Sequence, residues 1–151
     1  MTQEDRQLLL TDLCARWPYG VEAMLLDGSC GMVHGIDMLP SGTWVKIYIN
    51  RDNYEEELLE NVKPYLRPLS SMTEDEKAEM HAILSPEGIA EYENYGFSTP
   101  VSHFGDFIPY EYIYEYMFSV VSWLNEHHFD YNELITKGLA LEAPEGMYKI
   151  E

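Results

Sequence analysis

Leu9, Leu10, Leu13, Cys14 and Trp17 recur at helical spacing behind Thr2 and Asp5, two residues suited to a capped helix start. The chain is therefore expected to open with a helix that Pro18 and Gly20 end. The period then changes. Val21 to Leu26 is a short β-like run bounded by the turn pair Asp27-Gly28, and Gly31 to Leu39 is a second, bounded by Pro40-Ser41-Gly42. Thr43 to Ile49 alternates most strictly: Val45, Ile47 and Ile49 face one way, Trp44, Lys46 and Tyr48 the other. Short connections make these runs an antiparallel meander. The acidic stretch Asn50 to Glu60 reads as loop or short helix. Asn61 to Leu69 carries Pro64 and Pro68, which suits an extended edge segment and not a central strand.

The second half is patterned for helices. Thr73 and Glu76 form a capping box for a helix over Ser71 to Leu84, and Ser85-Pro86 restarts a short one that stops near Gly96. Pro109 opens the longest, running to about Glu126. Its polar stripe, Glu111, Glu115, Ser119, Ser122 and Glu126, is narrow. Tyr110, Ile113, Tyr114, Met117, Val120, Val121 and Leu124 fill the broad side, widened by Tyr112, Tyr116, Phe118 and Trp123. A helix this apolar must be buried on most of its surface, in its own fold or in a partner. Asp130 and Glu133 cap a last helix ending at Gly138. No linker or repeat interrupts the chain. The expected fold is α+β: one domain over residues 1–151, with an N-terminal helix, a three- or four-stranded antiparallel sheet, and a mainly helical C-terminal half packed on one sheet face.

Composition narrows the function classes. The 151 residues are 46% apolar, enough for a packed core, and carry 27 acids against 9 bases, a formal charge of −18. That field repels phosphate backbones, so direct nucleic-acid binding is disfavoured; it draws basic partners or divalent cations, or simply keeps the chain soluble. The cysteines are Cys14 and Cys30, too few for a disulfide framework, and Cys14 falls in the helical apolar pattern as a small core residue. The N-terminus has neither a basic region nor an apolar run, so no signal peptide or membrane segment is expected and the cytoplasm is the default location.

Candidate chemistry is sparse. No phosphate loop, dinucleotide fingerprint, zinc-finger spacing or nucleophile elbow occurs, and no cofactor is expected. Gly28-Ser29-Cys30-Gly31 has no base beside the thiol and is more simply a turn. His-x-x-Asp occurs three times, as His34/Asp37, His103/Asp106 and His127/Asp130. Imidazole and carboxylate suit transition metals and general-base pairs, so His34, His103, Asp106 and His127 are the residues for a metal site if one exists. Each pair also has a structural reading: Asp130 as a helix cap, Asp106 in a turn before Pro109, and His34 and Asp37 on opposite sides of a strand. The latter readings are the simpler, and no metal is favoured. Tyr112 and Tyr116 on the long helix are candidates for an aromatic partner surface, against the commoner role of such a stripe as core. Lys63, Tyr65 and Arg67 point one way on the expected edge segment. They offer a small anion or acidic-peptide site with strand addition, against plain edge protection.

Two stretches resemble a known group. They are Lys63-Pro64-Tyr65-Leu66-Arg67-Pro68-Leu69-Ser70-Ser71-Met72-Thr73-Glu74 and Trp123-Leu124-Asn125-Glu126-His127-His128-Phe129-Asp130-Tyr131, the latter running on through Leu134-Ile135 and Gly138-Leu139-Ala140. Together they resemble short proteins of gut Bacteroidales, many encoded in phages and mobile elements. The resemblance covers about a quarter of the chain, and implies a setting but no catalytic residues. With the acidity and the aromatic helix, it leads to an accessory protein, more a binder of another protein than an enzyme, whose partner is basic. The rivals are a small metal-dependent or His–Asp enzyme, a charge-mimicking inhibitor of a nucleic-acid-binding protein, and a purely structural or oligomerising protein.

Overall fold

The structure is a computed structural model that describes residues 1–83 and 110–148. The chain forms two compact units, Met1–Leu69 with Asn125–Glu151, and Ser70–Leu124. The architecture is α+β, as expected, but the sheet is larger and of another type. It has six strands in the order β4-β3-β2-β1-β5-β6: β1 (Glu22–Met24), β2 (Cys30–Leu39), β3 (Gly42–Tyr48), β4 (Tyr54–Leu58), β5 (Lys63–Leu66) and β6 (Leu141–Glu142). The first four contacts are antiparallel and β5–β6 is parallel, so the sheet is mixed.

Helix α1 (Gln3–Arg16) begins as its sequence requires. Thr2 accepts a hydrogen bond from the Asp5 amide, and the Asp5 carboxylate accepts one from the Thr2 amide. Its buried face is Leu9, Asp12, Leu13 and Arg16, whereas Cys14 and Trp17 are exposed. Periodicity misplaced Cys14 because two positions of the inner face are polar. Asp12 and Arg16 pair with each other there, so the core-facing stripe is offset from the apolar one.

In the meander, Val45 and Ile47 of β3 are fully buried and Tyr48 is exposed, as the alternation predicts. β2 carries a bulge between Val33 and Gly35. An extra residue reverses the parity of everything after it, so His34 and Asp37 do not take opposite faces: both lie on the face away from the core. Gly31 is obligatory for a different reason: a Cβ there would stand 2.0 Å from the Tyr48 carbonyl oxygen.

Two strand expectations fail. The acidic stretch contains a strand, β4, joined to β3 by a turn in which Asn50 Oδ1 accepts from the Asp52 and Asn53 amides. β3 offers a full backbone ladder, and an edge strand can keep its carboxylates in water while pairing. Lys63–Leu66 is not an edge either, since it lies between β1 and β6. Pro64 stands opposite Ala23, and a side chain bridges the two strands at the next position, as described below.

The core of this unit joins Leu9 and Leu13 of α1, Val21, Ala23, Val33, Val45 and Ile47 of the sheet, Leu59, Val62 and Leu66, and the C-terminal Leu134, Leu139 and Ala140. The expected last helix is instead a series of turns. Glu133 has φ of 59° and Gly138 of 75°, both outside the helical range. Asp130 nonetheless acts as a cap, its carboxylate accepting from the Leu134 and Ile135 amides at 2.9 Å each.

The second unit contains α2 (Glu74–Ile83) and most of α3 (Tyr110–Glu126). The Thr73/Glu76 capping box is formed in both directions at 3.1 Å, and Met80 is buried. On α3, Val120, Trp123 and Leu124 are buried, but Phe118, expected on the buried side, is 79% exposed. The short helix after Ser85-Pro86 lies outside the described residues. No helix among the described residues is long and apolar enough to cross a membrane.

Candidate functional site

The sheet has one face on the core and one facing away from it. On the outer face, register aligns four residues of four adjacent strands: Glu22 opposite Met32, Met32 opposite Tyr48, and Tyr48 opposite Tyr54. Met32, Tyr48 and Tyr54 are 45%, 38% and 57% exposed, so a half-open apolar row runs across the meander to its edge. The two tyrosines meet edge to face at 6.4 Å. The bulge residue His34 packs on Tyr48 with ring centroids 4.1 Å apart and its Nε2 3.2 Å from the phenol oxygen. Beside the row, Lys46 Nζ lies 3.1 Å from Asp37 and 3.8 Å from Glu56. Its hydrogen bond to Asp37 raises its pKa. Glu55 and Glu56 of the edge strand are exposed.

Next to the Glu22–Met32 end of this row lies a cleft of about 340 Å³, lined among others by Tyr19, Glu22, Met32, Glu126, His128 and Tyr148. Tyr148 is its central piece. The phenol accepts from the Glu22 amide at 2.8 Å and donates to the Tyr65 carbonyl at 2.8 Å. It thus stands between β1 and β5 one position beyond the Ala23–Pro64 pair and completes a ladder that proline cannot extend. Burial raises its pKa strongly, so the hydroxyl keeps its proton for Tyr65.

His128 stacks on the Tyr148 ring at 3.9 Å between centroids and 25° between planes. It is 3% exposed and has φ of 61°. Burial, with Arg16 nearby, pushes its pKa down to about 4, so the imidazole is neutral near pH 7. Interaction with the Tyr19 backbone partly offsets this shift, and Nδ1 is buried without a hydrogen-bond partner. The Glu22 carboxyl is pushed above its usual range by burial.

Behind the cleft, a buried ion pair ties α1 to the same C-terminal segment. Arg16 Nε and Nη2 donate to the Asp12 carboxylate at 2.8 and 3.0 Å, and Nη2 donates to the Phe129 carbonyl at 2.6 Å. Asn132 donates to Asp12 at 3.1 Å. The backbone joins in: the Arg67 amide donates to the His128 carbonyl and the Asp130 amide to the Arg67 carbonyl, both at 2.8 Å. The stretches Lys63–Glu74 and Trp123–Tyr131, set apart by their resemblance, thus meet at Arg67 and Phe129.

The described residues among those singled out from sequence do not share one site. Lys63 is exposed, while Tyr65 shares a 3.3 Å hydrogen bond with the Cys30 thiol that raises the phenol pKa. Arg67 lies past the strand, its guanidinium 4.2 Å over the Phe129 ring and Nη1 3.4 Å from the His127 carbonyl. No common anion site results. The Gly28 loop is a turn in which Asp27 accepts from the Ser29 amide and hydroxyl. His34 belongs to the outer face, and His127 is buried and lines the cleft. His103 and Asp106, and the side chains of Tyr112 and Tyr116, lie outside the described residues. Among the described residues no group of three His, Cys, Asp or Glu is placed to hold a metal. Sequence reasoning missed Glu22, His128 and Tyr148. Only the adjacency of His128 to Asp130 in a conspicuous stretch pointed near them. Comparison with protein-family models, curated proteins and solved structures finds no match to this chain.

Proposed function

We propose that the protein binds another protein, without catalysis, through the outer face of its sheet, and that the bound segment is extended and basic. The observation that carries this reading is the Met32–Tyr48–Tyr54 row, exposed and in register, ending on an edge strand whose neighbouring side chains are acidic. Aromatic and methionine side chains are favoured at the centres of protein interfaces, and an edge strand adds main-chain hydrogen bonds. Strand addition thus belongs to β4 and not to the Lys63–Arg67 segment, which already has neighbours on both sides. The acids that blunt β4 against another copy of itself are complementary to Lys and Arg. The setting implied by the resemblance, a phage or mobile element, makes this an accessory protein acting on a host or element-encoded partner.

A photo-crosslinking residue placed at Tyr54, with one at Glu145 as control, tests the reading in the native host. Position 54 should capture a partner that position 145 does not. With that partner purified, the on-rate should fall steeply as salt rises, because the attraction is screened over about 8 Å at physiological ionic strength. Equal capture at both positions, or a flat salt response, would count against it.

A further inference from the structure

We propose that the cleft beside Tyr148 is a binding site for an organic cation, a primary ammonium or guanidinium group on an aliphatic stem. The proposal stands apart from the outer-face reading and uses different residues, Met32 excepted.

Four features of the cleft select this ligand. Its volume of about 340 Å³ is at the small end of ligand sites, the size for one short molecule or one side chain. Two of its lining groups, Glu22 and Glu126, are carboxyls, and none of the described lining residues is lysine or arginine. Glu22 is half-buried with no ion-pair partner among the described residues, and an anionic ligand would meet it unfavourably. His128, 3% exposed, stacks on the Tyr148 ring and is neutral near pH 7, so it adds no positive charge to the cleft. A ligand rich in N–H supplies what Glu22 lacks, whereas a carboxylate or phosphate does not. Finally, the walls are thioethers and rings: Met32, Met147, Tyr19 and Tyr148. Such walls pack methylene carbons, and ring faces attract a cation. A metal ion is less well served, since no group of three His, Cys, Asp or Glu among the described residues is placed to hold one. The Tyr148 phenol is already committed to Glu22 and Tyr65, so it contributes its ring and not its hydroxyl.

The intact chain is titrated with n-butylammonium, n-propylguanidinium and, as an uncharged counterpart, 1-pentanol. Binding is followed by the methyl resonances of Met32 and Met147 and the ring resonances of His128. Both cations should shift all three sets saturably and 1-pentanol should not. Glu22→Gln should weaken the cations on the order of tenfold or more, as expected for loss of a charge-assisted hydrogen bond. Glu126→Gln, at an exposed rim position, should weaken them less. Unchanged melting temperatures establish that both variants fold. Absence of saturable shifts, equal binding of 1-pentanol, or undiminished binding by Glu22→Gln would overturn the proposal. A capped Gly-Gly-Lys-Gly-Gly peptide separates the sources. Binding at least as tight as n-butylammonium supports the side chain of a protein as the natural occupant; exclusion of the peptide while the amine binds supports a free amine. Tyr54→Ser should leave amine binding unchanged, so failure of the outer-face reading and failure of this one are distinguishable.

Discussion

At the β4 end of the sheet, neighbours in sequence are neighbours in space. β2, β3 and β4 follow one another through short turns and are joined by backbone ladders, with Val33, Val45 and Ile47 buried on one face and Met32, Tyr48 and Tyr54 open on the other. At the β6 end, side chains do the joining, across long separations. Arg16 reaches the Phe129 carbonyl 113 residues away, and Tyr148 reaches the Glu22 amide 126 residues away. The first arrangement leaves Met32, Tyr48 and Tyr54 open on one face, because its stability comes from the ladder and the opposite face. The second ties polar groups of distant segments together, and leaves Arg16 Nη1 and His128 Nδ1 buried without a hydrogen-bond partner. A surface that can be altered freely and a lock that cannot are therefore expected at the two ends.

The largest effect should come from breaking the lock at its charge. Arg16→Ala strands the fully buried Asp12 carboxylate and the Phe129 carbonyl, and should cost about 3–5 kcal/mol in urea unfolding. A loss under about 1 kcal/mol would show that the C-terminal segment holds without the pair.

Next comes pH. The folded-state pKa of His128, about 4, is below the ordinary 6.5, so the unfolded chain takes up this proton first. The contribution is fully present above the unfolded value, is lost as pH falls from about 6.5 to about 4, and then levels off. At about 1.4 kcal/mol per unit the loss is about 3 kcal/mol. His128→Asn, which tolerates the left-handed backbone, should flatten the dependence of the unfolding midpoint in that window. Parallel curves for the two proteins would assign the pH response to other groups.

Tyr148→Phe is finer. It keeps the ring on His128 and removes the hydroxyl that serves Glu22 and Tyr65, at a cost of about 1–3 kcal/mol. Amide exchange should quicken at Glu22 and be unchanged in β3; uniform quickening would mean global destabilisation instead.

The smallest effect sharpens the contrast from the open side. Tyr54→Ser on the outer face should change stability by no more than about 0.5 kcal/mol, while abolishing partner capture. A larger loss would make Tyr54 part of the scaffold and not of a surface.

How far the chain could be read follows from the same contrast. The Thr2/Asp5 and Thr73/Glu76 caps, and the alternation of Val45 and Ile47 with Tyr48, depend on residues within four positions of one another, and each was legible. Where a local rule met a non-local partner, the reading slipped. Cys14 was placed inside because it falls in the apolar pattern, whereas the buried face of the helix includes Asp12 and Arg16, paired with each other. Pro64 sent β5 to the edge because Tyr148 could not be foreseen as its repair. The acids of β4 hid a strand whose partner β3 supplies the order. His34 and Asp37 were separated by an alternation that the bulge reverses. Of the candidate sites, Lys63, Tyr65 and Arg67 were visible as an oddity, but Tyr65 and Arg67 are engaged by Cys30, Phe129 and His127. Glu22 and Tyr148 left no local trace, and His128 only its place in a conspicuous stretch.

The chain by itself determined the α+β class, the first helix, the antiparallel meander and a strongly acidic surface, since these follow from propensity, period and charge, which are properties of neighbouring residues or of the sum. Tertiary structure alone decided which polar groups are buried, which strands have two neighbours, and that a cleft opens beside Tyr148. The reason is physical: a buried Arg, an interior Pro and a neutral His are each unfavourable in isolation, and become stable only when a distant residue satisfies the backbone or the charge they leave exposed.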